Sequence, residues 1–214
     1  MKSFNLTIYL FLILSCITLM NFQCNDCDDE LHDRTNFSVT PNSTQNIISI
    51  GDTLIINTSF NSLIELEFSG SIHDNSNQLI NYRLEIFEGQ NNNIDAIQGR
   101  DNFEFINLIG NVFIPPARTW EIVIENTCDE NLCELEFGII PQQTGYYGIS
   151  LQTGSFGFED ECQFLTLIPT EIQSNGDNNF EIFEEINISS IRIDGTYFGN
   201  PEREKLLYFF KVIE

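Results

Sequence analysis

The sequence predicts an all-β chain, an antiparallel β-sandwich of about ten strands with little helix. Three observations predict it. Short runs of apolar residues alternate one-for-one with polar ones, which is how a half-buried strand reads. Helical periodicity is confined to one brief stretch, Phe180, Phe183 and Ile186. Hydrophobic residues make up 42% of the chain, with 19 Phe against one Trp, enough for a packed core built on Phe and Ile.

The elements follow in order. Ile47–Phe68 holds two or three strands around a Gly51-Asp52 turn, with Leu54, Ile56 and Phe60 on one parity of the first. Ile64, Leu66 and Phe68 point one way against Glu65 and Glu67. Ile80, Tyr82, Leu84 and Ile86 alternate with Asn81, Arg83 and Glu85, so these three polar residues are expected in water. Gly89–Asn93 is a polar loop, Phe103–Ile109 another strand, and Pro115-Pro116 ends the extended piece after it. Trp120, Ile122 and Ile124 face one way, Glu121 and Glu125 the other, and Trp120 is expected in the core. Cys133, Leu135, Phe137 and Ile139 face inward, with Glu134 and Glu136 outward. Tyr147, Ile149 and Leu151 continue the pattern beyond Pro141 and Gly145. Cys162–Ile168, Ile188–Ile193 and Leu206–Ile213 are the remaining strands, the last with the apolar density of a central one.

Cys128 shares the parity of Trp120. If Trp120–Cys128 and Cys133–Ile140 form a hairpin, both cysteines lie at its neck on the inward face, close enough for a disulfide. A Cys128–Cys133 bond is therefore expected.

A chain of 214 residues suffices for one large β-domain, alone or with an appendage. It carries 32 acids against 9 Lys and Arg, a net charge of −23. Nucleic acid as a partner is excluded, because no basic footprint exists to neutralise phosphate. Residues 1–15 have the layout of a secretory signal: Lys2, the apolar run Leu6–Leu14, then Ser15 before Cys16. The alternative is an uncleaved N-terminal anchor over Phe4–Met20. Residues 16–45, with Cys24, Cys27 and the acids after them, are expected to be an acidic polar tether, and 46–214 a single β-sandwich domain.

Two resemblances add to this. Ile13-Leu14-Ser15-Cys16 resembles a bacterial lipobox. Together with Cys24-x-x-Cys27, Gly51-Asp52-Thr53-Leu54 and the terminal Tyr208-Phe209-Phe210-Lys211-Val212, it makes the chain similar to exported lipoproteins of the Bacteroidota. That resemblance implies lipidation at Cys16, a membrane contact through the lipid, and a place at the outer membrane or cell surface; it implies no activity. Gln143-Thr144-Gly145-Tyr146-Tyr147 resembles the tyrosine corner of immunoglobulin-like domains, which implies that the Tyr147 hydroxyl bonds to nearby backbone.

Chemistry is harder to find. Cys24-x-x-Cys27 suits a redox pair or half a zinc site, but His32 and His73 are the only histidines, and structural cystines fit an exported chain better. The pairing of Cys24, Cys27 and Cys162 stays open. No Gly-x-Ser-x-Gly elbow accompanies His73. No cofactor is expected; calcium is the metal best matched, through Asp129 and Glu130, through Glu159, Asp160 and Glu161, or through Asp177 beside Asn178 and Asn179. The expected function is a non-enzymatic, surface-anchored module that binds or scaffolds a protein or glycan. The alternative is a carbohydrate-binding or glycan-hydrolysing sandwich using paired carboxylates.

Overall fold

The computed structural model describes residues 33–41, 46–65, 70, 72–116, 121–156, 165–172 and 178–214. Cys16, Cys24, Cys27, His32, Trp120, Glu159, Asp160, Glu161, Cys162 and Asp177 lie outside the described residues. The strands are β1 Asp33–Pro41, β2 Ile47–Ser49, β3 Leu54–Asn61, β4 Leu63–Glu65, β5 Ile72–Asp74, β6 Leu79–Gln90, β7 Asn93–Gln98, β8 Phe103–Ile109, β9 Asn111–Phe113, β10 Glu121–Thr127, β11 Leu132–Pro141, β12 Gly145–Phe156, β13 Leu165–Ile172, β14 Ile191–Ile193, β15 Thr196–Phe198 and β16 Leu207–Ile213. Among the described residues the longest helical element is the 3-10 helix Phe180–Ile186.

Two sheets face each other. The first is built on the antiparallel pair β6–β12, in register from Tyr146 opposite Gly89 to Gln152 opposite Arg83, with a bulge before the pairing resumes at Ser155. Beyond β12 lie β16, along its first half, and β13, along its second. Beyond β6 lie β10, along its first half, and β7, along its second. The second sheet runs β3–β11–β8, with the end of β1 beside β3. Alternation puts Ile80, Tyr82, Leu84, Ile122, Ile124, Tyr147, Ile149 and Phe210 from the first sheet against Leu54, Ile56, Leu135, Phe137 and Ile139 from the second, in one buried cluster. This is the core of a β-sandwich.

Two strands change sheets at the flanks. β1 pairs with β13 as far as Val39 and then with β3 at Thr40 and Pro41. On the other flank, β8 belongs to the second sheet and β9 to the first, and Gly110 turns the chain between them at φ +91°. A Cβ there would lie 2.5 Å from the Glu125 carbonyl oxygen, so the close approach requires glycine. Both flanks are thereby covered by chain that bridges the layers.

Three features differ from the sequence expectation. Asp33–Pro41, expected within the tether, is strand β1; it has little alternation of its own, and its strand state comes from its pairing partners. The sheets are mixed: β1–β13, β16–β2 and β14–β7 are parallel pairs. The expected hairpin between Trp120–Cys128 and Cys133–Ile140 does not form: β10 pairs with β6 and β9, β11 with β3 and β8. The tetrad Asp129–Leu132 carries the chain from one sheet to the other. Parity cannot tell a hairpin from such an arch, because inward residues meet at the bend in both.

The first sheet is covered on its outer face too. Phe87, Leu207 and Phe209 form a second core with Phe180, Ile182, Phe183 and Ile186 of the 3-10 helix and with Ile188, Ile191 and Ile193. The Phe209 ring sits 5.0 Å from that of Phe180 and 4.9 Å from that of Phe183, both edge-on. Burial on both faces is why the terminal strand is almost continuously apolar. Phe87 lies across Gly148, where a Cβ would be 2.2 Å from its ring, so the layer closes only over a bare backbone.

Candidate functional site: an acidic cleft at the edge of the second core

The second core covers only part of the outer face of the first sheet. Its apolar residues cluster around Phe87 and Phe209. The same parity then continues down β6 into Glu85 and Arg83, with Glu121 opposite Glu85 on β10. At this boundary the neighbour of β6 changes from β10 to β7, and the Gly99 N–H closes the gap on the Ile86 carbonyl at 3.0 Å. A hollow of about 260 Å³ opens there, lined by Glu85, Phe87, Ala96 and Gln98 on the sheet and by Ile193 and Asp194 on the far wall.

That wall is a two-residue hairpin. Ile193 pairs with Thr196, and Asp194 and Gly195 turn between them at φ +43° and +80°. Positive φ at both central residues is what a tight hairpin demands and what Asp-Gly supplies cheaply. β14 is fixed to β7 by the parallel pair Arg192–Asp95, whose side chains form an ion pair at 2.9 Å.

Glu85 is 8% exposed. Burial holds its carboxyl above the usual carboxylate range; a side-chain hydrogen bond with Gln152 opposes this, and the negative charges of Asp194 and Glu121 add to it. Glu121 has the Arg83 guanidinium 3.6 Å away. The partner of Glu85 is a neutral amide, so the hollow presents a buried carboxyl beside apolar walls. Such a combination of concave shape, apolar lining and a few placed polar groups is the usual character of a small-ligand site.

Of the other residues singled out by sequence, Cys128, Cys133, Asp129 and Tyr147 have structural roles. Cys128 and Cys133 are bonded, with Cα atoms 4.2 Å apart, where β10 leaves one sheet and β11 enters the other. The Asp129 carboxylate accepts the N–H groups of Asn131 at 2.8 Å and Leu132 at 2.6 Å, which form the bend. These two bonds hold it below the usual carboxylate range. Both bonds fall on the same carboxylate oxygen, Oδ1, and Glu130 beside it is exposed. Among the described residues no group of three His, Cys, Asp or Glu is disposed around a metal ion.

Tyr147 is fully buried, packed edge-on against Phe103 at 4.8 Å. Its hydroxyl accepts from the Asn102 side chain at 3.0 Å, in the connection before β8, whereas the tyrosine-corner likeness implied a bond to nearby backbone. The same Asn102 amide donates to Glu88. Burial, then the charge of Glu88, push the Tyr147 hydroxyl up to about 12. Glu134 and Glu136 stand on the outer face of the second sheet, half-buried, along a shallow trough with Asn57, Ser59 and Ile109.

The alternation along β6 predicts that Glu85 faces solvent. Alternation identifies the face that a residue occupies, not whether a second layer covers that face. The Asp194-Gly195 pair between two short runs was the available signal for the wall of the hollow.

No protein-family model matches this chain, and no curated protein does. Among solved structures it is similar to the reeler domain of human F-spondin, with a TM-score of 0.36 and 9% identity over 86% of this chain and 94% of that one. It is also similar to a type II cohesin dyad from the adaptor ScaA scaffoldin of Acetivibrio cellulolyticus, with a TM-score of 0.31 and 6% identity over 64% of this chain and 48% of that one.

Proposed function

We propose that this protein is an exported, non-enzymatic β-sandwich module, anchored at the outer membrane or cell surface by a lipid on Cys16, with a binding or scaffolding role. The observation that carries the reading is the buried Cys128–Cys133 cystine at the bend between the sheets. Disulfides of this kind belong to oxidising compartments. Export through the Lys2, Leu6–Leu14 and Ser15 signal supplies one, and Cys16 then becomes the first residue. Several acyl chains, at about 0.8 kcal/mol per buried CH₂, hold such a chain in a leaflet.

The non-enzymatic part of the reading is supported by how the acids are engaged. Asp129 caps a bend, Glu185 takes Tyr146 and Lys211, Glu88 takes Asn102, and Glu121 stands beside Arg83. Labelled palmitate is expected to enter the wild-type protein, and a Cys16→Ala variant is expected to lose both the label and the membrane association. A variant that stays membrane-bound without label would overturn the anchor.

A second reading, a glycan-binding or glycan-hydrolysing module, is favoured by one observation: Glu85 and Glu121 face each other across an antiparallel pair. Retaining glycosidases hold two carboxyl groups about 5 Å apart. The aromatic that lines the hollow, Phe87, is 2% exposed and offers no face for a sugar to stack on. A glycan array without hits removes this reading.

A further inference from the structure

We propose that the hollow between β6, β7 and the β14–β15 turn is a binding site for a single organic cation on an aliphatic stem, an alkylammonium or alkylguanidinium group. The inference names a ligand class for the binding role above and rests on that reading.

Shape comes first. A hollow of about 260 Å³ has room for one side chain of lysine or arginine size, and it is one-sided, walled by the sheet and by the Ile193-Asp194 segment. Its lining is divided. Ala96 and the Ile193 wall supply an apolar track for methylene groups, and Glu85 supplies the charge at its end.

The second consideration is the state of Glu85. A carboxylate removed from water normally has a cation or several hydrogen-bond donors as partners. Among the described residues no Lys or Arg pairs with Glu85; its side-chain partner is the neutral Gln152 amide. The Arg83 guanidinium stands on the same face two residues away and lies beside Glu121. Like charges placed opposite each other on a sheet are destabilising, and Glu85 with Glu121 is such a pair. Asp194 adds a further negative charge at the rim. A cation in the hollow relieves all three conditions at once.

The chemistry also separates this ligand from the alternatives. A hard divalent ion takes six or more oxygen ligands in the calcium case, whereas two carboxylates and the Gln98 amide line this hollow. A sugar requires an exposed aromatic face. An alkylammonium needs one carboxylate at the end of an apolar track, which is what is present. The net charge of −23 steers cations to the whole surface, so specificity must come from the hollow itself.

The test uses the full chain in neutral detergent micelles, titrated calorimetrically with n-butylammonium, with n-butylguanidinium, and with the uncharged n-butanol. The two cations are expected to bind saturably at one site, and butanol not to bind. Glu85→Gln, which keeps the shape and removes the charge, is expected to weaken binding about tenfold or more. Asp194→Asn is expected to weaken it several-fold. Ala96→Leu fills the hollow while leaving every charge in place, and it is expected to abolish binding as well. Glu134→Gln, on the other sheet, is expected to change nothing. A Lys-containing tetrapeptide that binds more tightly than butylammonium assigns the cation to a protein partner's side chain; equal affinity assigns a free amine. Unchanged affinity in either Glu85→Gln or Ala96→Leu overturns the site, as does butanol binding equal to butylammonium. Palmitate incorporation at Cys16 is read separately, so failure of the site and failure of the anchor are distinguishable.

Discussion

Breaking the Cys128–Cys133 bond is expected to cost the fold about 2 kcal/mol, the loop-entropy value for a closed loop of roughly six residues. The two cysteines are five apart in sequence, so the loop is near the short end of what a cystine can close. The bend has other supports. The Asp129 N–H donates to the Leu132 carbonyl at 2.9 Å, and the Cys128 N–H to the Gln78 carbonyl at 3.0 Å. Ser62 donates its N–H to the Asn131 carbonyl at 3.0 Å, and its hydroxyl to the Glu130 carbonyl, also at 3.0 Å. These bonds survive reduction, and about 2 kcal/mol is a fraction of an ordinary domain's stability of 5–15 kcal/mol, so the reduced chain stays folded. The assay is urea unfolding followed by far-UV circular dichroism, oxidised and reduced, for wild type and for Cys128→Ala/Cys133→Ala. Comparing the two reduction effects cancels whatever Cys24, Cys27 and Cys162 contribute. With a slope of about 2 kcal/mol per molar urea, the bond corresponds to a midpoint difference of roughly 1 M. No difference would mean that the cystine does not constrain the bend. Collapse of the fold on reduction would mean that the cystine, and not the shared core, holds the two sheets together.

Three further outcomes are expected. Gly148→Ala places a Cβ 2.2 Å from the Phe87 ring and is expected to destabilise by about 1–3 kcal/mol, the usual cost of overpacking, read as a lowered urea midpoint. Glu85→Gln is expected to raise the melting temperature at pH 7. Burial raises the Glu85 pKa in the fold, so its contribution is fully present below the unfolded carboxylate pKa and is lost as pH rises; the gain from Gln therefore vanishes in acid, and a gain that persists there contradicts the assignment. Tyr147→Phe is expected to cost about 1 kcal/mol at pH 7 through the lost Asn102 bond. Because the folded hydroxyl is pushed up to about 12 while the unfolded one titrates near 10, wild type loses stability between those values, and the variant loses less. Tyr82, whose hydroxyl burial also raises, leaves a residual slope in both.

Much of the sandwich was legible because alternation is a direct consequence of strand geometry. The inward sets on β6, β11 and β12 are buried as read, and the weak helical spacing at Phe180, Phe183 and Ile186 is a 3-10 helix that buries those residues. Three things were not legible, each for a physical reason. Sheet membership of β10 and β11 depends on which way a four-residue bend turns, and the inward parity is identical either way. Strand β1 hides in a polar segment because partners on both sheets, not side-chain pattern, make it a strand. Glu85 was assigned to solvent because the layer formed by residues 178–198 comes from distant sequence, and a period-2 pattern carries no information about it. The hollow is built where that layer stops, so the site lies where local pattern is least informative.

We propose that a disulfide-stapled sandwich is carried out of the cytoplasm and held by a lipid. Intact-mass and non-reducing peptide mapping of the protein purified from its own membranes tests this most directly. The prediction is a mature chain that begins at an acylated Cys16 and yields a peptide with Cys128 and Cys133 joined. A chain that retains Met1, or one with free thiols at Cys128 and Cys133, contradicts it.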